Sequence, residues 1–110
     1  MKILLDENMP HQLRGHLPNH DVSTAVYVGF GGFTNGELLQ AAEAAGFEVL
    51  LTGDLSLEYQ QNLTGRKIAI VSLSANSWRI VRHHLPTISE AIRASSPGTF
   101  VRVDCGRYGS

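Results

Sequence analysis

Short apolar runs that end in an acid constrain this chain more than any other feature. Ile3-Leu4-Leu5 runs straight into Asp6-Glu7-Asn8, and Glu48 to Leu51 runs into Thr52-Gly53-Asp54. Ile3 to Leu5 shows no apolar–polar alternation, which is the mark of a strand buried on both faces, as in a parallel sheet. Lys67 to Leu73 reads as a further strand, and Asp21 to Ala25 and Thr99 to Val103 complete the set. Helical signals lie between them. Pro10 opens an expected helix over 10–18, with Leu13 and Leu17 four apart on one face. Thr34 and Glu37 have capping-box spacing at the start of a helix over 35–45, which Gly46 stops. Trp78, Val81, Leu85, Ile88 and Ile92 draw an apolar stripe along 77–94, with Arg79, Arg82 and His83 on the solvent side. Pro86 is expected to kink or split that segment after Leu85. Residues 26–33 read as a loop and 56–63 as a short helix or turn. The order βαβαβ(α)βαβ predicts an α/β fold: a single-domain parallel β-sheet flanked by helices.

A length of 110 residues suits one domain and is short for two. No repeat or linker divides the chain, so residues 1–105 are read as the domain and 106–110 as a loose tail. At 43% hydrophobic and 17% charged, the composition excludes a disordered chain. No apolar run approaches the roughly 18 residues that cross a bilayer. Residues 1–8 lack the apolar core of a signal peptide. A single cysteine, Cys105, excludes an internal disulfide and a cysteine-rich zinc site. These features together predict a cytoplasmic protein without membrane contact. The net charge of −1 provides no general field for polyanions. Contact with nucleic acid must then come from a bound cation or a local patch. Arg79, Arg82, His83 and His84, with Arg66 and Lys67 upstream, are either such a patch or a solvated helix face.

In open parallel sheets, ligands bind beyond the carboxyl ends of the strands. Asp6 and Asp54 follow two separate strands, so the fold delivers both to one edge. Glu37 is fully explained by the capping box, yet the start of its helix lies near the same edge. Three carboxylates sharing a cleft repel one another unless a cation sits among them. Hard oxygen ligands favour Mg²⁺ or Mn²⁺ over zinc. The histidines make no metal motif: His83 and His84 point about 100° apart on a helix, and His11 reads as a helix-surface residue. Gly29-Phe30-Gly31-Gly32-Phe33 lacks both the Walker lysine and the dinucleotide spacing, and reads as a mobile loop beside the cleft. No serine has the G-x-S-x-G context of a hydrolase.

Met1-Lys2-Ile3-Leu4-Leu5-Asp6-Glu7-Asn8-Met9-Pro10 resembles the opening of small PIN-like proteins of toxin–antitoxin-type gene pairs. The likeness continues in His20-Asp21-Val22, Thr34-Asn35-Gly36-Glu37-Leu38-Leu39, Leu50-Leu51-Thr52-Gly53-Asp54, His84-Leu85-Pro86 and Phe100-Val101-Arg102-Val103. It spans nearly the whole chain. The resemblance implies a metal-dependent ribonuclease that cleaves single-stranded RNA. In it Asp6, Glu37 and Asp54 hold Mg²⁺ or Mn²⁺, and the ion activates water and offsets phosphate charge; for such a substrate the local patch makes Arg79 and Arg82 the candidate RNA contacts. It also implies a cognate antitoxin protein as partner. An apolar stripe left exposed on 77–94 would instead mark a homodimer surface. The chain departs from the family pattern at Asn35, where many relatives carry an acid, and at Ser56, where Asp or Asn is common. Glu58 replaces the fourth ligand only if the turn after Asp54 folds back. Two other readings share the fold class. One is a PIN-like module that binds RNA or protein without catalysis. The other is a receiver-like phosphoacceptor domain, which needs a lysine after its last strand; residues 98–110 contain none.

Overall fold

A computed structural model of the protein describes residues 1–54 and 62–106. Five strands, β1 (Lys2–Leu5), β2 (Asp21–Thr24), β3 (Val49–Thr52), β4 (Ala69–Leu73) and β5 (Phe100–Val103), form one sheet in the order β2-β1-β3-β4-β5. Every neighbouring pair is parallel. Helix α1 (Asn35–Ala44) joins β2 to β3, while α2 (Trp78–Val81) and α3 (Leu85–Ala94) join β4 to β5. The fold is thus the α/β parallel sheet with flanking helices that the order of apolar runs predicts. Among the described residues, no helix is long and apolar enough to cross a membrane.

Burial explains why the central strands read as unbroken apolar runs. The side chains of β3 and β4 are buried along their whole length, as are Ile3 to Leu5 of β1. Successive side chains point to opposite faces, so each run feeds two cores. Ile3, Leu5, Val49, Leu51, Val71 and Leu73 pack with Leu13, Leu17, Val81, Ile88 and Ile92. Leu4, Leu50 and Ile70 pack on the other face with Leu38, Leu39 and Ala42 of α1. The edge strands β2 and β5 are only half-buried.

The stripe on residues 77–94 faces the core as expected. Val81, Ile88 and Ile92 are buried, and Trp78 and Leu85 pack against them partly buried. Trp78 also meets the His16 ring, with centroids 4.7 Å apart. Arg79, Arg82 and His83 are exposed. The break in the segment differs from expectation: a 3-10 turn at Arg82–His84 precedes Leu85. Pro86 therefore sits in the first turn of α3, where its missing N–H has no partner to lose, and it starts a helix instead of kinking one.

The expected helix over 10–18 is a correction. Only His11–Gly15 winds, as a 3-10 turn. So short a segment gains too few hydrogen bonds to offset helix nucleation. Leu13 and Leu17 are buried all the same. The expected turn over 56–63 lies mostly outside the described residues, as do Ser56, Glu58 and the tail from residue 107.

Candidate functional site

A parallel sheet brings the carboxyl ends of its strands together. Here the strand order reverses between β1 and β3, and the crevice at such a switch point is where doubly wound sheets bind ligands. Asp6 follows β1 and stays in register, its N–H donating to the Leu51 carbonyl at 3.0 Å. Thr52, the last residue of β3, is fully buried. Its hydroxyl donates to Asp6 Oδ2 at 2.7 Å and accepts from the Asp54 N–H at 3.1 Å. One threonine thus links the two aspartates that the sequence placed at this edge. Asp6 Oδ1 accepts from the Glu7 N–H at 2.8 Å. Asn8 Oδ1 accepts from the Gly53 N–H at 3.1 Å and ties the two strand exits once more.

Asn35 opens α1 and reaches across to this pair. Its Nδ2 donates to Asp54 Oδ2 at 3.1 Å. Asn35 therefore orients Asp54 by hydrogen bonding.

Glu37 is placed differently. Its Oε1 accepts from the Thr34 N–H at 2.9 Å, and the Thr34 hydroxyl accepts from the Glu37 N–H at 3.3 Å. This reciprocal capping box is complete. The Thr34 backbone bond, then its hydroxyl bond, hold the Glu37 carboxyl below its ordinary value. Among the described residues, no three His, Cys, Asp or Glu side chains are grouped to hold a metal ion. The structure brings together Asp6 and Asp54, with Glu37 engaged at the cap.

A lowered carboxyl value means the cap stabilises the fold above the ordinary carboxylate range. That stabilisation is lost as pH falls through the folded value. Glu37→Gln keeps a capping side chain but does not titrate. Its melting temperature is expected to fall less than the parent's between about pH 6 and about pH 3.

The register shows a polar row that the sequence reading missed. Leu50 pairs with Ile70, and Ile70 with Phe100; one pleat nearer the edge, Thr52 pairs with Ser72, and Ser72 with Arg102. Asp6, Thr52, Ser72 and Arg102 therefore continue one face of the sheet above the apolar layer. Ser72 is fully buried, and its hydroxyl has no hydrogen-bond partner among the described residues. An unsatisfied buried hydroxyl is costly, so Ser72→Ala is expected to be neutral or to stabilise by up to about 1 kcal/mol. Thr52→Val removes the bridge between the aspartates and is expected to cost about 1–3 kcal/mol. Thermal unfolding of both variants checks the contrast.

Arg79 and Arg82 belong to the segment packed on the other face of the sheet, with Trp78 and Val81. No described contact joins them to Asp6 or Asp54. The glycine-rich loop does adjoin the site. The Gly32 N–H donates to Glu7 Oε1 at 2.7 Å, and the Ala25 N–H to the Leu5 carbonyl at 2.8 Å. Gly32 has φ 80°, a conformation that glycine adopts without strain.

The donor set suits a hard cation. Asp6 uses one lone pair on each oxygen, out of about four lone-pair sites in all. Mg²⁺ is commonly held by one or two carboxylates, with water and substrate phosphate completing its shell. The strand order is also that of receiver-type sheets, so topology alone leaves that alternative standing. Its lysine remains missing from residues 98–110. No protein-family model, no curated protein and no solved structure matches the chain.

Proposed function

We propose that the protein is a PIN-like, metal-dependent ribonuclease acting on single-stranded RNA in the cytoplasm. The observation that carries this reading is the Asp6–Thr52–Asp54 link at the β1/β3 switch point. Asp6 and Asp54 are the carboxylates that would hold Mg²⁺ or Mn²⁺. Such an ion, when bound, supplies positive charge against the scissile phosphate and makes water more nucleophilic. The protein's own part is positioning. Thr52 fixes one oxygen of Asp6, and Asn35 fixes one of Asp54, so neither carboxylate has to be ordered when substrate arrives. Glu37 takes part only if its carboxylate leaves the cap. Arg79 and Arg82 are proposed RNA contacts at a distance from the chemistry. The resemblance supports a cognate antitoxin protein as a further partner, and a second copy of the chain is another.

The test is incubation of the purified protein with single-stranded and duplex RNA of one sequence, with Mg²⁺, with Mn²⁺ or with chelator. Cleavage of the single strand that needs the ion supports the reading. Equal cleavage in chelator refutes it. A second reading, a binding module without catalysis, is favoured by the Glu37 cap, which among the described residues leaves Asp6 and Asp54 of the three expected acids at the site. Its signature is a melting temperature raised by Mn²⁺, with RNA left intact.

A further inference from the structure

The loop between β2 and α1 exposes aromatic side chains beside the aspartate pair. Among the described residues, the exposed large hydrophobic side chains are Met1, Val26, Tyr27 and Phe33; all but Met1 belong to this loop. Tyr27 is 79% exposed and Phe33 42%. Backbone bonds hold the loop in shape: Val28 N–H to the Thr24 carbonyl at 3.2 Å, and Phe30 N–H to the Ala25 carbonyl at 2.8 Å. Thr24 Oγ1 also accepts from the Tyr27 N–H at 3.2 Å. The exposed rings are therefore carried on a loop closed by its own hydrogen bonds.

Phe30 packs partly buried against the core on the α1 face. Phe33 stacks on Phe30, with centroids 5.5 Å apart and planes 19° from parallel. The stack thus starts in the core and ends on a ring that faces solvent. Both ends of the loop lead into the site. Gly32 is bonded to Glu7, the neighbour of Asp6, and Phe33 lies two residues before Asn35, which holds Asp54. Residues 22–36 contain no charged side chain.

We infer that Phe33, with Tyr27 exposed on the same loop, is a stacking platform for an unpaired nucleobase of a strand whose phosphate lies at Asp6 and Asp54. The inference rests on the ribonuclease reading and adds how the strand is held. An uncharged aromatic surface next to carboxylates suits the base and not the phosphate. A near-parallel pair of rings extends naturally by one more planar ring, in the offset stacking that aromatic rings favour. Base stacking on aromatic side chains needs an unpaired base and tolerates any sequence.

The probe is a single-stranded RNA about ten nucleotides long carrying 2-aminopurine, whose fluorescence is quenched on stacking. Binding is measured on the protein with Asp6 and Asp54 intact and with Ca²⁺ in place of Mg²⁺ or Mn²⁺, so that a cation is present for the phosphate while cleavage is suppressed. The fluorescence is expected to be quenched, and Phe33→Ala and Phe33→Leu are each expected to weaken binding roughly ten- to hundred-fold. Tyr27→Ala is expected to weaken it as well. Phe33 and Tyr27 are exposed, so these variants should melt close to the parent. Phe33→Leu keeps apolar bulk but loses the planar ring. Binding by Phe33→Leu as tight as by the parent would mean a merely greasy contact, such as a protein partner makes, and would overturn the platform. Absence of quenching would overturn it too. Cleavage is read separately on the unsubstituted protein. A protein that quenches but does not cleave loses the ribonuclease reading and keeps the platform; one that cleaves equally well without Phe33 does the reverse.

Discussion

Asp6→Asn and Asp54→Asn are each expected to lower Mn²⁺-dependent cleavage of single-stranded RNA by on the order of 100-fold or more. The substitution keeps the size of the side chain and removes the charge that would hold the ion. Outer partners of metal ligands alone are commonly worth about 10- to 100-fold, so a ligand should be worth at least as much. The two variants differ in a useful way. Asp6 Oδ2 accepts the Thr52 hydroxyl, and an asparagine carbonyl can accept the same bond. Asp54 Oδ2 accepts from the Asn35 amide, and an asparagine can replace it there as well. Both variants should therefore melt near the parent without metal, while the stabilisation by Mn²⁺ should shrink. Loss of cleavage with an unchanged metal-free melting temperature identifies a lost ligand. Unchanged cleavage in Asp54→Asn would place any activity elsewhere and remove the ribonuclease reading.

Glu37→Gln provides the contrast within the same experiment. Its carboxylate is engaged with Thr34, and glutamine serves at that capping position. Cleavage is expected to change by less than in either aspartate variant. A loss as large as theirs would mean that Glu37 leaves its cap to join them.

The parts of this fold legible in the sequence are those fixed by local pattern. Ile3 to Leu5 announces a doubly buried strand because both of its faces are covered, and an apolar run needs no partner to be recognised. The Thr34–Glu37 box is likewise local: both partners lie within one helical turn. Asp6 and Asp54 were legible because strand exits in a parallel sheet share an edge. What links them was not. The contacts of Thr52 and Ser72 depend on which residue of β3 faces which residue of β4, and a slip of one position would turn each side chain to the other face. The Asn35–Asp54 bond spans two elements, and nothing near either residue signals it. Asn35 read as a departure from a family pattern, whereas its amide holds the aspartate next to the switch point. The segment 10–18 failed for the opposite reason. Its apolar spacing fits a helix, but the chain between Pro10 and Pro18 is too short to propagate one.

The largest stability effect is expected at Leu50. It is the middle of the apolar layer beneath the polar row, paired with Leu4 on one side and Ile70 on the other. It is fully buried, and it packs with Leu38, Leu39 and Ala42 of α1. Neighbours on the sheet are held by ladder hydrogen bonds, so they cannot close on a void from the side. Leu50→Ala should therefore leave most of its cavity open, and buried leucine-to-alanine changes of that kind cost about 3–5 kcal/mol. Against a total of about 5–15 kcal/mol for a domain, the loss is a large share. In a domain of this size it corresponds to a melting temperature lower by more than about 10 °C. Val101→Ala on the edge strand β5 is the control. Val101 is only partly buried, and among the described residues one side of β5 has no neighbouring strand to prevent relaxation. Its cost is expected to stay near about 1 kcal/mol. Equal losses at the two positions would contradict the core as described. A Leu50→Ala protein that stays folded at 25 °C serves a second purpose, because the Asp6–Thr52–Asp54 link sits directly above the cavity. Weaker Mn²⁺ stabilisation in that variant than in Val101→Ala would show that the apolar layer holds the aspartates in place.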